Sequence, residues 1–240
     1  MDEVRVVAHR GASGSAPENT LAAFRRAVKL GAGFIETDLQ LSRDARFVAL
    51  HDTSLDRTTN GRENVHDFTL AELRQLDAGS WFSPAFTGER IPTLEEILTF
   101  ARKTHVIFYL EIKVSGVWGT EHALVAAIGE ANMMERVVIL SFDLATLLEL
   151  RKRNPALMAG YLVDWPSPDM VERAVRVGAR QLAPRADLVT PALIEQARGA
   201  DLQVVTWTVN ESAQMRHLAA LGVDGIMTDY PDRLRAVLGE

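Results

Sequence analysis

The chain has 240 residues, of which 24% are charged and 47% hydrophobic, and carries a formal net charge of −6; these proportions exclude a disordered or fibrous chain and argue against a nucleic-acid surface. It contains no cysteine, which removes disulfides, thiolate nucleophiles and cysteine-ligated zinc. An acidic protein that binds an anion must reverse the field locally, with side-chain cations or a metal.

Residues 1–5 enter an extended apolar run at once, without the cationic stretch and apolar core of a secretory signal. No apolar segment reaches the ~18 residues that span a bilayer. A cytoplasmic protein with no stable membrane insertion is expected. Short runs rich in β-branched residues at 4–8, 34–38, 106–111, 137–141, 158–163, 181–184, 203–208 and 225–228 read as eight strands. Segments of helical periodicity follow at 20–30, 94–103, 122–132, 144–153, 169–177, 191–198, 212–221 and 233–238. Eight βα units in a chain of this length predict an α/β fold, the closed (β/α)8 TIM barrel, as a single domain over 1–240.

Residues 47–50 form a further extended run. The turn-like Ser42-Arg43-Asp44-Ala45 predicts that it folds back on the second strand as a hairpin. With the turn centred between Asp44 and Ala45, Asp38 would face His51. Residues 52–92 are the one long departure from the repeat, an insertion between the second strand and the second barrel helix. It holds a short helical stretch at 70–76 and an aromatic cluster of Trp81, Phe82 and Phe86, which suits either a rim against substrate or plain packing.

Barrel strands end at one mouth, and polar residues there have a physical reason to be present. The first strand ends in His9-Arg10-Gly11, the second in Glu36-Thr37-Asp38, the hairpin in His51-Asp52 and the third barrel strand in Glu111-Ile112-Lys113. Period-two geometry puts Glu36 and Asp38 on one face, and Glu111 and Lys113 on one face. Three carboxylates meeting at one mouth repel unless a cation sits among them, and their hard oxygens favour Mg²⁺, Ca²⁺ or Mn²⁺. Glu36, Asp38 and Glu111 are therefore the candidate metal ligands. Arg10 and Lys113 supply fixed cations of the kind a phosphodiester needs as its nonbridging oxygens gain charge. His9 and His51 have the near-neutral pKa that suits taking one proton and giving another. The other histidines, His66, His105, His122 and His217, lie away from strand ends and read as solvated or packing residues.

Pro17-Glu18-Asn19-Thr20 reads as a helix start with Asn19 or Thr20 as cap and Glu18 as support for the site. Gly11 and Gly14 read as residues that let the first loop approach a phosphate. Trp207 and Phe142 are candidate apolar walls for substrate, and Asp229 reads as the cap of the final helix.

Taken in order, His9-Arg10-Gly11, Pro17-Glu18-Asn19-Thr20, Glu36-Thr37-Asp38, His51-Asp52, Glu111-Ile112-Lys113 and Thr228-Asp229-Tyr230-Pro231 resemble the motif set of the glycerophosphodiester phosphodiesterases. The resemblance implies a (β/α)8 barrel with one insertion and one divalent cation held by Glu36, Asp38 and Glu111. It implies an acid/base pair in His9 and His51, and phosphate ligands in Arg10 and Lys113. The implied reaction hydrolyses a glycerophosphodiester, such as glycerophosphocholine or glycerophosphoethanolamine, to glycerol 3-phosphate and an alcohol. The hairpin turn departs from the family's usual Lys-Asp-Gly, with Arg43-Asp44-Ala45 here. Two other readings stand beside this one. A phosphodiesterase of lysophospholipids or phosphoinositides would need a larger apolar approach. A non-catalytic phosphate-binding barrel would be expected to lack one of the imidazoles or carboxylates, and none is missing.

Overall fold

Strands and helices alternate along the chain in β1 (Arg5–Ala8), α1 (Leu21–Lys29), β2 (Phe34–Leu41), β3 (Phe47–Ala49), α2 (Leu70–Leu73), α3 (Leu94–Lys103), β4 (Ile107–Ile112), α4 (Thr120–Glu130), β5 (Val137–Ser141), α5 (Leu144–Arg153), β6 (Met158–Val163), α6 (Met170–Arg176), β7 (Gln181–Pro184), α7 (Pro191–Gly199), β8 (Gln203–Thr206), α8 (Ser212–Leu221), β9 (Gly225–Thr228) and α9 (Pro231–Leu238). The structure, a computed structural model, describes residues 4–114 and 119–239, so the first three residues of the opening stretch lie outside the described residues. β1 pairs in parallel with β9 on one side and β2 on the other, through Val7↔Met227 and Val7↔Phe34, which closes β1, β2 and β4–β9 into the predicted barrel. Among the described residues, no helix is long and apolar enough to cross a membrane.

The two faces of each strand go to different cores. Val7, Tyr109, Val138, Leu140, Leu162, Ala183, Val205 and Met227 meet in one cluster drawn from seven strands, the filling of the barrel. Residues of opposite parity, such as Ile35, Leu39, Phe108 and Leu110, join the helices through Phe24, Ile97 and Leu124. Burying a side chain of that size contributes ~1.5–3 kcal/mol. Side-chain caps set where several helices start. The Thr20 hydroxyl accepts from the Ala23 amide, Thr93 and Glu96 make a reciprocal capping box, and Asp143 accepts from the Ala145 and Thr146 amides.

The hairpin forms as predicted but one residue out of the expected register. β2 and β3 pair antiparallel through Leu39↔Ala49, Gln40↔Val48 and Leu41↔Phe47, which centres the turn on Asp44. The Leu50 amide, not His51, donates to the Asp38 carbonyl, at 3.2 Å. The reason is a three-residue loop: Ser42 and Arg46 close it, with Ala45 left-handed at φ 57°. The insertion buries a small core of its own, with Leu55, Val65, Leu73, Ala78 and Ile91 packed on Val48 and Leu50.

Candidate active site

The parity that fills the barrel also aims the polar residues. Two residues beyond Val7 is His9; Phe34 is followed at the same parity by Glu36 and Asp38, Tyr109 by Glu111 and Lys113, Leu140 by Phe142, Val205 by Trp207 and Met227 by Asp229. All but Glu36 and Asp38, which lie within the longer β2, stand at or just past the C-terminal end of their strand, and the register Asp38↔Glu111 sets two of the acids side by side.

Glu36, Asp38 and Glu111 are buried, at 2%, 1% and 8% exposure, and offer one oxygen each within 4.8 Å of one another. Burial, then the charges of Asp38 and Glu111, raises the Glu36 carboxyl well above its usual range. Burial, then Asp38, pushes Glu111 up to about 7. Burial acts on Asp38 in the same sense, but Arg10 and Lys113 outweigh it and hold that carboxyl below its usual value. Lys113 Nζ stands 2.5 Å from Glu111 and 3.1 Å from Asp38, and Arg10 Nε stands 3.2 Å from Asp38. Glu36 Oε1 is buried with no hydrogen-bond partner. A buried oxygen without a donor, in a cluster where two of the three acids resist ionisation, fits a hard divalent cation.

The loop after β1 is shaped to serve this cluster. Arg10 adopts φ 55°, a strained conformation of the kind concentrated at functional sites, and its amide donates to Glu36 Oε2 at 2.9 Å. Asn19, at φ 56°, donates to Asp38 Oδ2 at 2.8 Å and accepts from Thr37. It therefore orients a carboxylate, and Thr20 alone caps α1. Gly11, at φ 82°, and Gly14 are each required by a close contact within the fold. A Cβ at Gly11 would lie 2.7 Å from the Ala23 backbone, and one at Gly14 would run into the Tyr230 ring.

Each candidate imidazole is held by an aspartate. His9 Nδ1 lies 2.7 Å from Asp229 Oδ1, and His51 Nδ1 lies 2.6 Å from Asp52 Oδ1. With Nδ1–H donated to a carboxylate, Nε2 is left for the site. Burial pushes the Asp229 carboxyl up, yet His9, Asn210 and Ser13 together hold it at about 2. Asp229 therefore anchors His9 and does not cap α9, whose capping position is Tyr230. Arg57, ahead of His51, holds Asp52 down to about 2. Burial lowers the His51 pKa. Glu18, read as support for the site, bonds Arg10 at 2.8 Å and the Arg57 guanidinium at 2.7 and 2.8 Å.

Both imidazoles, both cations and two of the three acids line a cavity of about 190 Å³. Its lining includes the polar His9, Arg10, Glu36, His51, Glu111 and Lys113 and the apolar Leu140, Phe142, Leu162, Trp207 and Met227. Phe142 meets Trp207 edge to face at 5.7 Å, and the Trp207 indole N–H donates to the Ala183 carbonyl. No residue of the 52–92 insertion lines the cavity among those described. Trp81, Phe82 and Phe86 pack edge to face on one another. His66, His105, His122 and His217 are exposed and stand outside the cavity. A larger cavity of about 300 Å³ around Arg5, Tyr109 and Gln181 gathers no imidazole.

Residues 9–233 match the Glycerophosphoryl diester phosphodiesterase family. The chain is 42% identical over 232 residues to a glycerophosphodiester phosphodiesterase of Caldanaerobacter subterraneus subsp. tengcongensis, covering 95% of each. It is 34% identical to one of Bacillus subtilis, covering 98% of this chain and 87% of that protein. Among solved structures, a phosphodiesterase of Oleispira antarctica in complex with the product sn-glycerol-3-phosphate superposes with a TM-score of 0.90 at 30% identity, covering 100% of this chain and 98% of that one. A glycerophosphodiester phosphodiesterase of Agrobacterium tumefaciens gives 0.86 at 29%, covering 97% and 99%.

Proposed function

The chain belongs to the glycerophosphoryl diester phosphodiesterase family, and on that premise we propose how its residues divide the hydrolysis of a glycerophosphodiester to glycerol 3-phosphate and an alcohol. Glu36, Asp38 and Glu111 hold one divalent cation, Mg²⁺ or Ca²⁺, with Mn²⁺ also suited to their oxygens. When bound, it supplies positive charge against the phosphoryl oxygens. Arg10 and Lys113, already beside these carboxylates, take the nonbridging oxygens, Arg10 through its planar fork and Lys113 as a compact charge. His9 and His51 divide the two proton transfers, each through the Nε2 that its aspartate leaves free. Phe142 and Trp207 form the wall against the carbon skeleton of a headgroup diester such as glycerophosphocholine or glycerophosphoethanolamine. One domain over 1–240 carries all of these parts.

The observation that carries this reading is the meeting of three acids, two cations and two aspartate-held imidazoles at one cavity. Turnover of both headgroup diesters is expected to vanish on chelation and return with added cation. His9→Ala and His51→Ala are each expected to lower kcat by ~10²–10⁴-fold. A folded His51→Ala or His9→Ala protein with near-normal kcat would remove that residue from the chemistry.

A further inference from the structure

The 52–92 insertion contributes nothing to the described cavity wall, yet one of its side chains runs back to the site. The Arg57 guanidinium spans two carboxylates, with Nε 2.6 Å from Asp52 Oδ2 and Nη1 and Nη2 at 2.7 and 2.8 Å from the two oxygens of Glu18. Asp52 uses its other oxygen to hold His51 Nδ1 at 2.6 Å. Glu18 Oε1 also takes Arg10 Nη1 at 2.8 Å. Arg57 is thus the shared node of two carboxylate relays, one ending on His51 and the other on Arg10.

We infer that Arg57 is a positioning residue for the hydrolysis, fixing the His51 imidazole through Asp52 and the Arg10 guanidinium through Glu18. This rests on the roles proposed above for His51 and Arg10. An isolated surface ion pair contributes little and orients little. Here one planar fork makes three short contacts, and its partner Glu18 is only 13% exposed. The charge arrangement matters as much as the geometry. Glu18 faces two guanidinium groups, so one carboxylate charge is shared and Arg10 keeps net positive charge for a phosphate. Without Arg57, Glu18 is left to Arg10 alone and draws it from the cavity, while Asp52 is free to rotate and carry His51 with it. Lysine cannot reproduce the fork, because one ammonium reaches one carboxylate at a time. The insertion thus serves the reaction through this clamp and not as a substrate wall.

Steady-state kinetics on glycerophosphocholine with saturating cation test the clamp. Arg57→Ala is expected to lower kcat/KM by about 10–100-fold, the usual cost of losing a residue that orients a site group. The two arms should separate: Asp52→Asn lowers kcat with KM little changed, and Glu18→Gln chiefly raises KM. Adding Arg57→Ala to the Asp52→Asn, Glu18→Gln pair should cost little more, and Arg57→Lys should recover only part of the loss. Because Arg57→Ala removes three contacts that tie the insertion down, the near-isosteric Asp52→Asn and Glu18→Gln carry the test where that variant does not fold. Wild-type kinetics in Arg57→Ala or in both isosteric variants, with His51→Ala and Arg10→Ala inactive, would overturn the inference and leave the site reading standing. Additive losses would overturn it too, since they mark general support of the fold. Full activity in His51→Ala would overturn the reading on which the inference rests.

Discussion

Asp229 acts across 220 positions of sequence, from the end of the last barrel strand to His9 at the end of the first. It also accepts from Ser13 Oγ and Asn210 Nδ2, at 2.9 and 2.6 Å, so its carboxylate is fixed from three sides. Asparagine caps a helix as well as aspartate does, but it has no charge to stabilise an imidazolium. If Asp229 were a cap, Asp229→Asn would be silent. With the carboxylate anchoring His9, the substitution is expected to lower kcat by about 10–100-fold with KM little changed. Equal kcat in mutant and wild type would return Asp229 to the role of a surface residue. Much of the site was legible in the sequence because strand parity and strand ends suffice to select His9, Glu36, Asp38, Glu111 and Lys113. The same parity, counted from Met227, selects Asp229. That signal was available, but an aspartate before Tyr-Pro at a helix start reads more readily as a cap. Arg57 could not be found this way, because it lies off the strands and only the folded insertion brings it to Glu18.

At the scale of elements, sequence and structure agree wherever periodicity is strong. β5, β6, β7, β9, α3, α5 and α8 have the bounds that the pattern predicts, and the other barrel elements shift by only a few residues. The difference that matters is the β2–β3 register, because loop length cannot be read from a turn whose left-handed position carries alanine. Ala45 is exposed and sits at φ 57°, a conformation that costs an L-residue ~1–2 kcal/mol. Glycine removes that cost, while its greater freedom in the unfolded chain offsets ~0.4–1 kcal/mol. Ala45→Gly is therefore expected to stabilise the protein by roughly 0.5–1 kcal/mol, or about 1–4 °C in Tm for a chain of this size. The hydrogen bond from residue 45 to the Ser42 carbonyl is kept. A lower Tm would show that the turn is not strained at Ala45. Since Asp44 in the same loop accepts from the Leu70 amide at the start of α2, the gain should also appear as slower amide exchange in that helix.

For the molecule as a whole, the acid cluster sets a dependence of stability on pH that a cation reverses. The chain carries a net charge of −6, and three of its carboxylates are buried at the centre of the barrel mouth. Glu36 and Glu111 have folded pKa values raised above those of the unfolded chain, Glu111 to about 7. A raised carboxyl pKa means that the folded state prefers the proton, so the contribution is fully present below the unfolded value of ~4.3 and is lost as pH rises through the folded one. The chelated protein should lose stability between about pH 5 and 8 through these groups. Asp52 and Asp229, held at about 2, titrate below that window and do not oppose the trend. A divalent cation bound by the ionised cluster would compete with those protons, so its affinity would strengthen over the same range. At a hundredfold excess over Kd it stabilises by ~2.7 kcal/mol, which corresponds to about 5–10 °C here. The Tm gap between cation-loaded and chelated protein should therefore widen from pH 5.5 to pH 8, and comparing the two at each pH cancels every group remote from the site. A gap of the same size at both pH values, or one that survives in a Glu36→Gln, Glu111→Gln double variant, would place the cation elsewhere than among these three acids.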